Sequence, residues 1–367
     1  MTTAYLVLAD GSVFQGQAMG ATADEKTPKA DGELVFNTSM TGYQEMLTDP
    51  SYAGQIVMPT YPMIGNYGIN HRDMESARIQ VAGFVVREEC ETPSHYASTA
   101  TLHDFLSRNG ILGISGVDTR AVTRHIRSSG VMMGTITTTE TPEHAVARLR
   151  SLTGYDAVNF VRQVTTPEPF SWPDSAVQGV RIAVVDCGVK YNILREFAQR
   201  GCQTIVLPAT ASADEVLTLR PDGVVFSPGP GDPIHNTVPV ETAKALIGRV
   251  PMLGICLGHQ VVAQAMGART YKLKFGHRGG NHPVQDLETG RVSITAQNHG
   301  YAVDEGSLPQ QLKVTHRNLN DDTVEGLRHL SAPVFTIQYH SEASPGPLDN
   351  EYIFDQFLAL VGERVSQ

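Results

Sequence analysis

Cysteine is scarce in this chain: Cys90, Cys187, Cys202 and Cys256 are the only four in 367 residues, and no two form a Cys-x-x-Cys pair. So few thiols cannot staple a chain of this length, and their spacing fits no thiolate metal site. A disulfide scaffold and a zinc ribbon are therefore excluded. An apolar run long enough to cross a bilayer is missing, as is an apolar leader at the N-terminus. A cytoplasmic chain with no membrane partner is the expectation. No dense Lys/Arg run occurs, and 28 basic against 38 acidic residues leave a net charge of −10. That balance argues against nucleic acid or an anionic membrane as the main partner. There is no Gly-Lys-Ser/Thr, so a phosphate loop is unsupported. Internal repeats and low-complexity segments are absent too.

What is present reads as a turn-rich globular protein, with 41% hydrophobic residues, 34 Gly and 21 Pro. The length suggests two domains. Between Val164 and Asp174 three prolines fall in a short span, which neither a helix nor a central strand tolerates. The expected organisation is an N-terminal domain over 1–150, a Pro-containing linker over 151–179 and a C-terminal domain over 180–367. Beyond the prolines, strand and helix patterns alternate: a strand over 180–186, a helix over 191–200, a strand over 203–207, a helix over 213–219 and a strand over 223–227. Such alternation predicts an α/β fold with a doubly wound, mostly parallel sheet whose chemistry sits at the C-terminal ends of the strands. Closer-spaced strands after residue 292 suggest antiparallel additions before a final helix over 352–361.

One of those strand ends is chemically pointed. After the apolar run Val250 to Leu253 comes Gly254-Ile-Cys256-Leu257-Gly258-His259-Gln260. Glycines on both sides of Cys256 permit a sharp strand-to-helix turn and keep bulk away from the sulfur. A thiol at a helix N-terminus is biased toward thiolate, and the next N–H, on Leu257, is placed to stabilise an oxyanion. A lone cysteine is ordinarily an inert core residue; the paired glycines and trailing His-Gln turn the reading toward a nucleophile.

This segment resembles the nucleophile motif of class I, triad-type glutamine amidotransferases, and the resemblance implies a C-terminal His-x-Glu. His340-Ser341-Glu342 follows an apolar strand and supplies it. In extended chain, residues i and i+2 point the same way, so Glu342 can hold one imidazole nitrogen while the other takes the thiol proton. Ser341 stands where the family commonly has proline. Ser227-Pro-Gly229-Pro-Gly231 on its own would be a plain turn. By resemblance it is the oxyanion loop, with Gly229 N–H beside Leu257 N–H, and Gly231 also lines the glutamine site. Gln297 to Tyr301 reads from its chemistry equally as a polar turn or as a site. The resemblance implies that Asn298, Gly300 and Tyr301, with Gln260, hold the α-amino and α-carboxylate groups of glutamine; Phe is commoner at 301. His277 and His282 sit in Phe275 to Pro283 at no common ligand spacing, so no metal is expected and a substrate-adjacent loop is preferred. His259 could compete as the base but is structural by resemblance.

The N-terminal half opens with a strand pair turning at Asp10-Gly11. It then presents Phe36-Asn-Thr-Ser-Met-Thr-Gly-Tyr43 and continues through Ser51 to Gly68, a mixture that no periodicity explains and that reads as irregular, specific surface. With Ile114 to Arg120 and Asp186 to Arg195, it resembles the carbamoyl-phosphate synthase small chain family along nearly the whole chain. That resemblance implies a separate N-terminal α/β domain specific to the small chain, whose Ser51 hydroxyl reaches the L-glutamine site. It also implies a large-chain partner that uses ATP and Mg, with no cofactor in this chain. The alternatives are an amidotransferase subunit for another acceptor, such as anthranilate or a nucleotide, and a catalytically dead scaffold, against which Cys256, His340 and Glu342 all stand.

Overall fold

The computed structural model describes residues 2–21, 30–176 and 178–365, and the chain divides into two compact units, Met1–Val158 and Asn159–Gln367. The first contains β1 (Thr3–Leu8), β2 (Val13–Gly20), β3 (Ala30–Asn37), β4 (Gln55–Pro59), β5 (Met63–Ile64), β6 (Gly83–Val85), β7 (Glu88–Glu89), β8 (Leu112–Ser115) and β9 (Met132–Thr137). Its helices are α1 (Tyr43–Thr48), α2 (Leu102–Arg108), α3 (Thr119–Ser129) and α4 (Pro142–Leu149). Seven of the strands close into a barrel in the order β1-β2-β8-β6-β4-β3-β9, which leaves no open sheet edge.

The Phe36 to Gly68 stretch is not irregular surface. It forms β3, α1, a 3₁₀ turn and β4, and Tyr43, Met46, Leu47, Tyr52 and Val57 are buried in one apolar cluster. Its polar residues go inside because they satisfy one another. Gln44 both donates to Asn70 O (2.6 Å) and accepts from Asn70 N (2.9 Å). Asn37 Nδ2 donates to the Tyr52 hydroxyl at 2.8 Å. Paired in this way, they lose little on leaving water. Exposed apolar side chains remain at Met40, Tyr61 and Met63.

The second unit contains α5 (Val161–Val164), β10 (Phe170–Ser171), β11 (Arg181–Asp186), α6 (Tyr191–Gln199), β12 (Gln203–Pro208), α7 (Ala213–Thr218), β13 (Gly223–Phe226) and α8 (Thr237–Leu246). It continues with β14 (Met252–Ile255), α9 (Leu257–Ala265), β15 (Thr270–Asp286), β16 (Val292–Val303), β17 (Leu312–Asn318), β18 (Val324–His329), β19 (Val334–Ile337) and α10 (Tyr352–Val365). Ten strands form one sheet in the order β10-β12-β11-β13-β14-β19-β18-β17-β15-β16. The run β12-β11-β13-β14-β19 is parallel, and β18, β17, β15 and β16 extend it antiparallel.

Alternate side chains of β11 go to opposite faces. Ile182 and Val184 join α6 and α10 in one core, while Ala183 and Val185 join α7, α8 and α9 in the other. Each Val, Leu or Ile so buried contributes about 1.5–3 kcal/mol relative to an exposed position. Helix α7 starts where Ser212 and Glu215 cap one another reciprocally, satisfying N–H groups the first turn leaves open.

Two further segments differ from their sequence reading. The proline-rich stretch is not bare linker, since Phe170 and Ser171 pair antiparallel with Val206 and Ile205 at the sheet edge. Prolines flanking an edge strand remove no ladder bond. Phe275 to Pro283 is not a loop but part of the long strand β15. Its glycines coincide with register shifts against β16 between Lys272 and His277 and between Gly279 and His282, where a strand bends without ending.

Candidate active site

Parallel strand β14 delivers Cys256 to the C-terminal edge of the sheet, where the residue adopts φ 54°, ψ −107°. A non-glycine residue held there is strained, and a turn this tight needs both neighbouring glycines. A Cβ at Gly254 would stand 2.6 Å from Gly258 O, and one at Gly258 only 2.0 Å from Phe226 O. The sulfur is buried, 3.7 Å from Asn298 O. Leu257 opens α9 immediately after it, so the helix presents its unpaired N–H end beside the thiol.

The next parallel strand, β19, leads to His340, the expected base. His340 N donates to Ala296 O, and the ring Nδ1 lies 2.6 Å from Glu342 Oε1, which leaves Nε2 for the thiol. Glu342 is fully buried and is met from the other side by Lys190 Nζ at 3.1 Å. Asn192 Nδ2 donates to Glu342 O, and Lys190 Nζ also donates to Ala343 O. Burial alone would neutralise this trio. Instead, burial works against the imidazolium of His340, but Glu342 and the Cys256 sulfur outweigh it and raise its pKa to about 10. Burial likewise disfavours the Glu342 carboxylate, yet Lys190 and then His340 bring it down to about 2. The site thus sustains an ion chain, Lys190⁺–Glu342⁻–His340⁺, ending at the sulfur. Ser341, between base and carboxylate, is buried, and its Oγ has no hydrogen-bond partner.

Lys190 joins this group although the sequence reading did not single it out. It lies in the Asp186 to Arg195 motif, and the only local signal is a lysine in an otherwise apolar strand-to-helix turn. Removing one partner from a buried pair leaves the other uncompensated, at about 3–5 kcal/mol. Lys190→Met is therefore expected to lower the urea midpoint. It also removes the largest influence holding Glu342 ionised, so the Glu342 pKa rises and the acid limb of the activity profile moves to higher pH. An unchanged acid limb would show that Lys190 does not act through Glu342.

The loop after β13 packs against the elbow. A Cβ at Gly229 would meet Cys187 O at 2.1 Å and Leu257 Cδ2 at 2.7 Å, so only glycine brings this backbone beside Leu257. Ser227 Oγ accepts from Cys187 N at 2.9 Å, fixing the loop to the end of β11. Gly231 takes φ +87°. On the other side, Gln297 to Tyr301 is the middle of strand β16 rather than a turn. Gln260 of α9 donates from Nε2 to Tyr301 O (2.8 Å) and to Gln338 Oε1 (2.9 Å). With both amide protons engaged, Gln260 has only its Oε1 left to offer, an acceptor suited to an ammonium. Asn298 and Tyr301 are buried, and Gly300 is half-buried. His259 points away, with Nδ1 on Thr336 Oγ1 at 2.7 Å. Burial, then His316, lowers its pKa to about 3. Ser51 belongs to the first unit, where its Oγ is buried without a hydrogen-bond partner.

Residues 6–136 match the family described as carbamoyl-phosphate synthase small chain, CPSase domain, and residues 183–360 match glutamine amidotransferase class-I. The carbamoyl phosphate synthase small chain of Akkermansia muciniphila is 50% identical over 369 residues, covering 98% of this chain and 97% of that one. That of Bacillus caldolyticus is 52% identical over 360 residues, with 98% and 96% covered. The carbamoyl phosphate synthase pyrimidine-specific small chain of Bacillus subtilis is 48% identical over 368 residues, with 99% and 98% covered. A thiol on a strained elbow, a buried His–Glu–Lys chain and this likeness over nearly the full length agree: the chain belongs to the carbamoyl-phosphate synthase small chain family, as its glutamine-hydrolysing subunit.

Proposed function

We propose that glutamine is hydrolysed through a thioester on Cys256 and that the ammonia is passed to a larger partner chain, which makes carbamoyl phosphate from bicarbonate with ATP and Mg. The observation that carries the first half is the His340–Glu342–Lys190 chain ending at the Cys256 sulfur. The thiolate attacks the carboxamide carbon, and the oxygen takes the charge against the Gly229 and Leu257 N–H groups. His340 gives its proton to the leaving nitrogen, so the C–N bond breaks and ammonia departs. The now neutral ring takes a proton from water, hydroxide adds to the thioester, and glutamate leaves as the sulfur recovers its charge. Gln260, Asn298, Gly300 and Tyr301 hold the amino-acid end, and Gly231 lines the same loop. Ser51 is assigned to glutamine by resemblance.

None of these steps needs a cofactor in this chain. The second half rests on chemistry, because ammonia alone is not carbamoyl phosphate and this sequence has no phosphate loop to activate bicarbonate. Among the described residues no helix is long and apolar enough to cross a membrane, and we place the reaction in the cytoplasm. A glutaminase uncoupled from its acceptor would waste glutamine. Full-length chain alone is thus expected to turn over slowly and to accelerate when the large chain, ATP and bicarbonate are added. Chain lacking residues 1–150 is expected to lose both the acceleration and efficient hydrolysis. Hydrolysis at full rate by the truncated chain, still stimulated by the partner, would remove the first unit from this role.

A further inference from the structure

Behind the strand that carries Asn298 and Gly300, a second group of polar side chains is buried with its lone pairs turned inward. His277 on β15 lies opposite His299 on β16 in antiparallel register, and Glu325 on β18 completes the group. All three are buried, and one ligand atom from each lies within 4.8 Å of the others. The hydrogen bonds around them define which atoms carry protons. His277 Nε2 faces Asp321 Oδ2 at 2.8 Å, and a carboxylate can only accept, so Nε2 is an N–H and, on the neutral ring, Nδ1 is a lone pair. That Nδ1 is buried without a hydrogen bond and stands 3.6 Å from Glu325 Oε1.

His299 repeats the pattern. Its Nδ1 lies 2.7 Å from Tyr301 O, a carbonyl, and must donate; Nε2 is then a lone pair. Opposite it at 2.9 Å is Gln297 Oε1. The Gln297 orientation is set by its amide end, which donates to Glu325 Oε2 at 2.9 Å and to Thr295 Oγ1 at 3.1 Å. Thr295 Oγ1 has already given its own proton to His282 O, so it can only accept. On neutral rings His277 Nδ1, His299 Nε2 and Glu325 Oε1 are then acceptors of one buried group, with Gln297 Oε1 beside His299 Nε2.

A proton on His277 would join its Nδ1 to Glu325 Oε1, yet it leaves the His299 Nε2 lone pair against Gln297 Oε1 with nothing between them. One dication answers both contacts with a single centre. We infer that His277, His299 and Glu325 bind a divalent transition-metal ion of the zinc type, with Gln297 Oε1 at its side, as a structural site that stiffens the glutamine-holding strand.

The outer contacts are those a metal-ligating histidine uses, one ring N–H on a carboxylate and the other on a backbone carbonyl. Glu325 Oε1 is steadied by Asn318 Nδ2 at 2.9 Å. Two ligands on one tetrahedral zinc stand about 3.3–3.5 Å apart, from bond lengths near 2.1 Å, and the 3.6 Å between His277 Nδ1 and Glu325 Oε1 is close to that. Two imidazoles with a carboxylate and an amide oxygen favour zinc or cobalt over magnesium or calcium. Spacing along the chain gave no hint of this, because the donors come from three strands.

The test uses full-length, tag-free protein dialysed against Zn²⁺ and then against metal-free buffer. Elemental analysis is expected to find about one zinc per chain. Co²⁺-loaded protein is expected to show visible ligand-field bands without the sulfur-to-cobalt charge-transfer band that Cys256 or another thiol would give. Glu325→Gln and His277→Gln are expected to weaken Co²⁺ binding at least tenfold, and Asp321→Asn, which only releases the His277 ring, by about 10–100-fold. Where a variant fails to fold, the cobalt spectrum of the unaltered chain decides alone. No retained zinc, a thiolate band, or folded variants that bind as the parent does would each overturn the site and leave a His277–Glu325 ion pair in its place.

Discussion

Cys256→Ser is expected to reduce glutamine-dependent carbamoyl phosphate synthesis by roughly 10⁴-fold or more, the scale on which loss of a triad nucleophile acts. Size is not the reason, since serine fits wherever cysteine does at φ 54°. An alcohol carries far less anion character than a thiol, and the ion chain from Lys190 to His340 is arranged to pair with a sulfur anion. Nothing in the elbow changes shape, because Gly254 and Gly258 still permit the turn. The same variant, assembled with its large chain, should keep synthesis from supplied ammonia, as that chemistry does not involve this sulfur. The measurement is a pair of rates on one preparation, with glutamine and with ammonium. Near-normal glutamine use would remove Cys256 as the nucleophile; loss of both rates would mean damage to the assembly rather than to the chemistry.

What could be read from sequence was the chemistry carried by neighbours in the chain. The elbow is local, since two glycines two residues from a cysteine at the end of an apolar run leave few alternatives. The His340–Glu342 pair is local as well, because extended chain puts i and i+2 on one side, and the 2.6 Å contact follows. Lys190 was not legible as a partner of Glu342, for the sheet order β11-β13-β14-β19 brings together residues 152 positions apart in the chain. β15 was hidden for a related reason. Gly276, Gly279, Gly280 and Pro283 are turn signals, and only pairing with β16 and β17 makes them a strand. The Phe36 to Gly68 stretch looked like surface because its polar residues have partners that no pattern announces, such as Asn70 for Gln44.

The base and its orienting carboxylate should separate cleanly. His340→Asn is expected to lose roughly 10⁴–10⁶ of the glutaminase rate, because one ring protonates departing ammonia and then activates water, and asparagine does neither. Glu342→Ala is expected to be about a hundredfold milder, as the orienting acid of a triad usually is. The carboxylate nevertheless leaves a second signature. His340 keeps its proton up to about 10 because Glu342 and the Cys256 sulfur offset the effect of burial. Without Glu342 the offset shrinks, the imidazolium gives up its proton at lower pH, and the alkaline limb of the rate profile moves down. Lys190 loses its contact with the same carboxylate. Rates against pH for the two variants check both statements. A Glu342→Ala variant slower than His340→Asn would exchange the roles assigned to them, and one with an unmoved alkaline limb would show that Glu342 positions the ring without setting its charge.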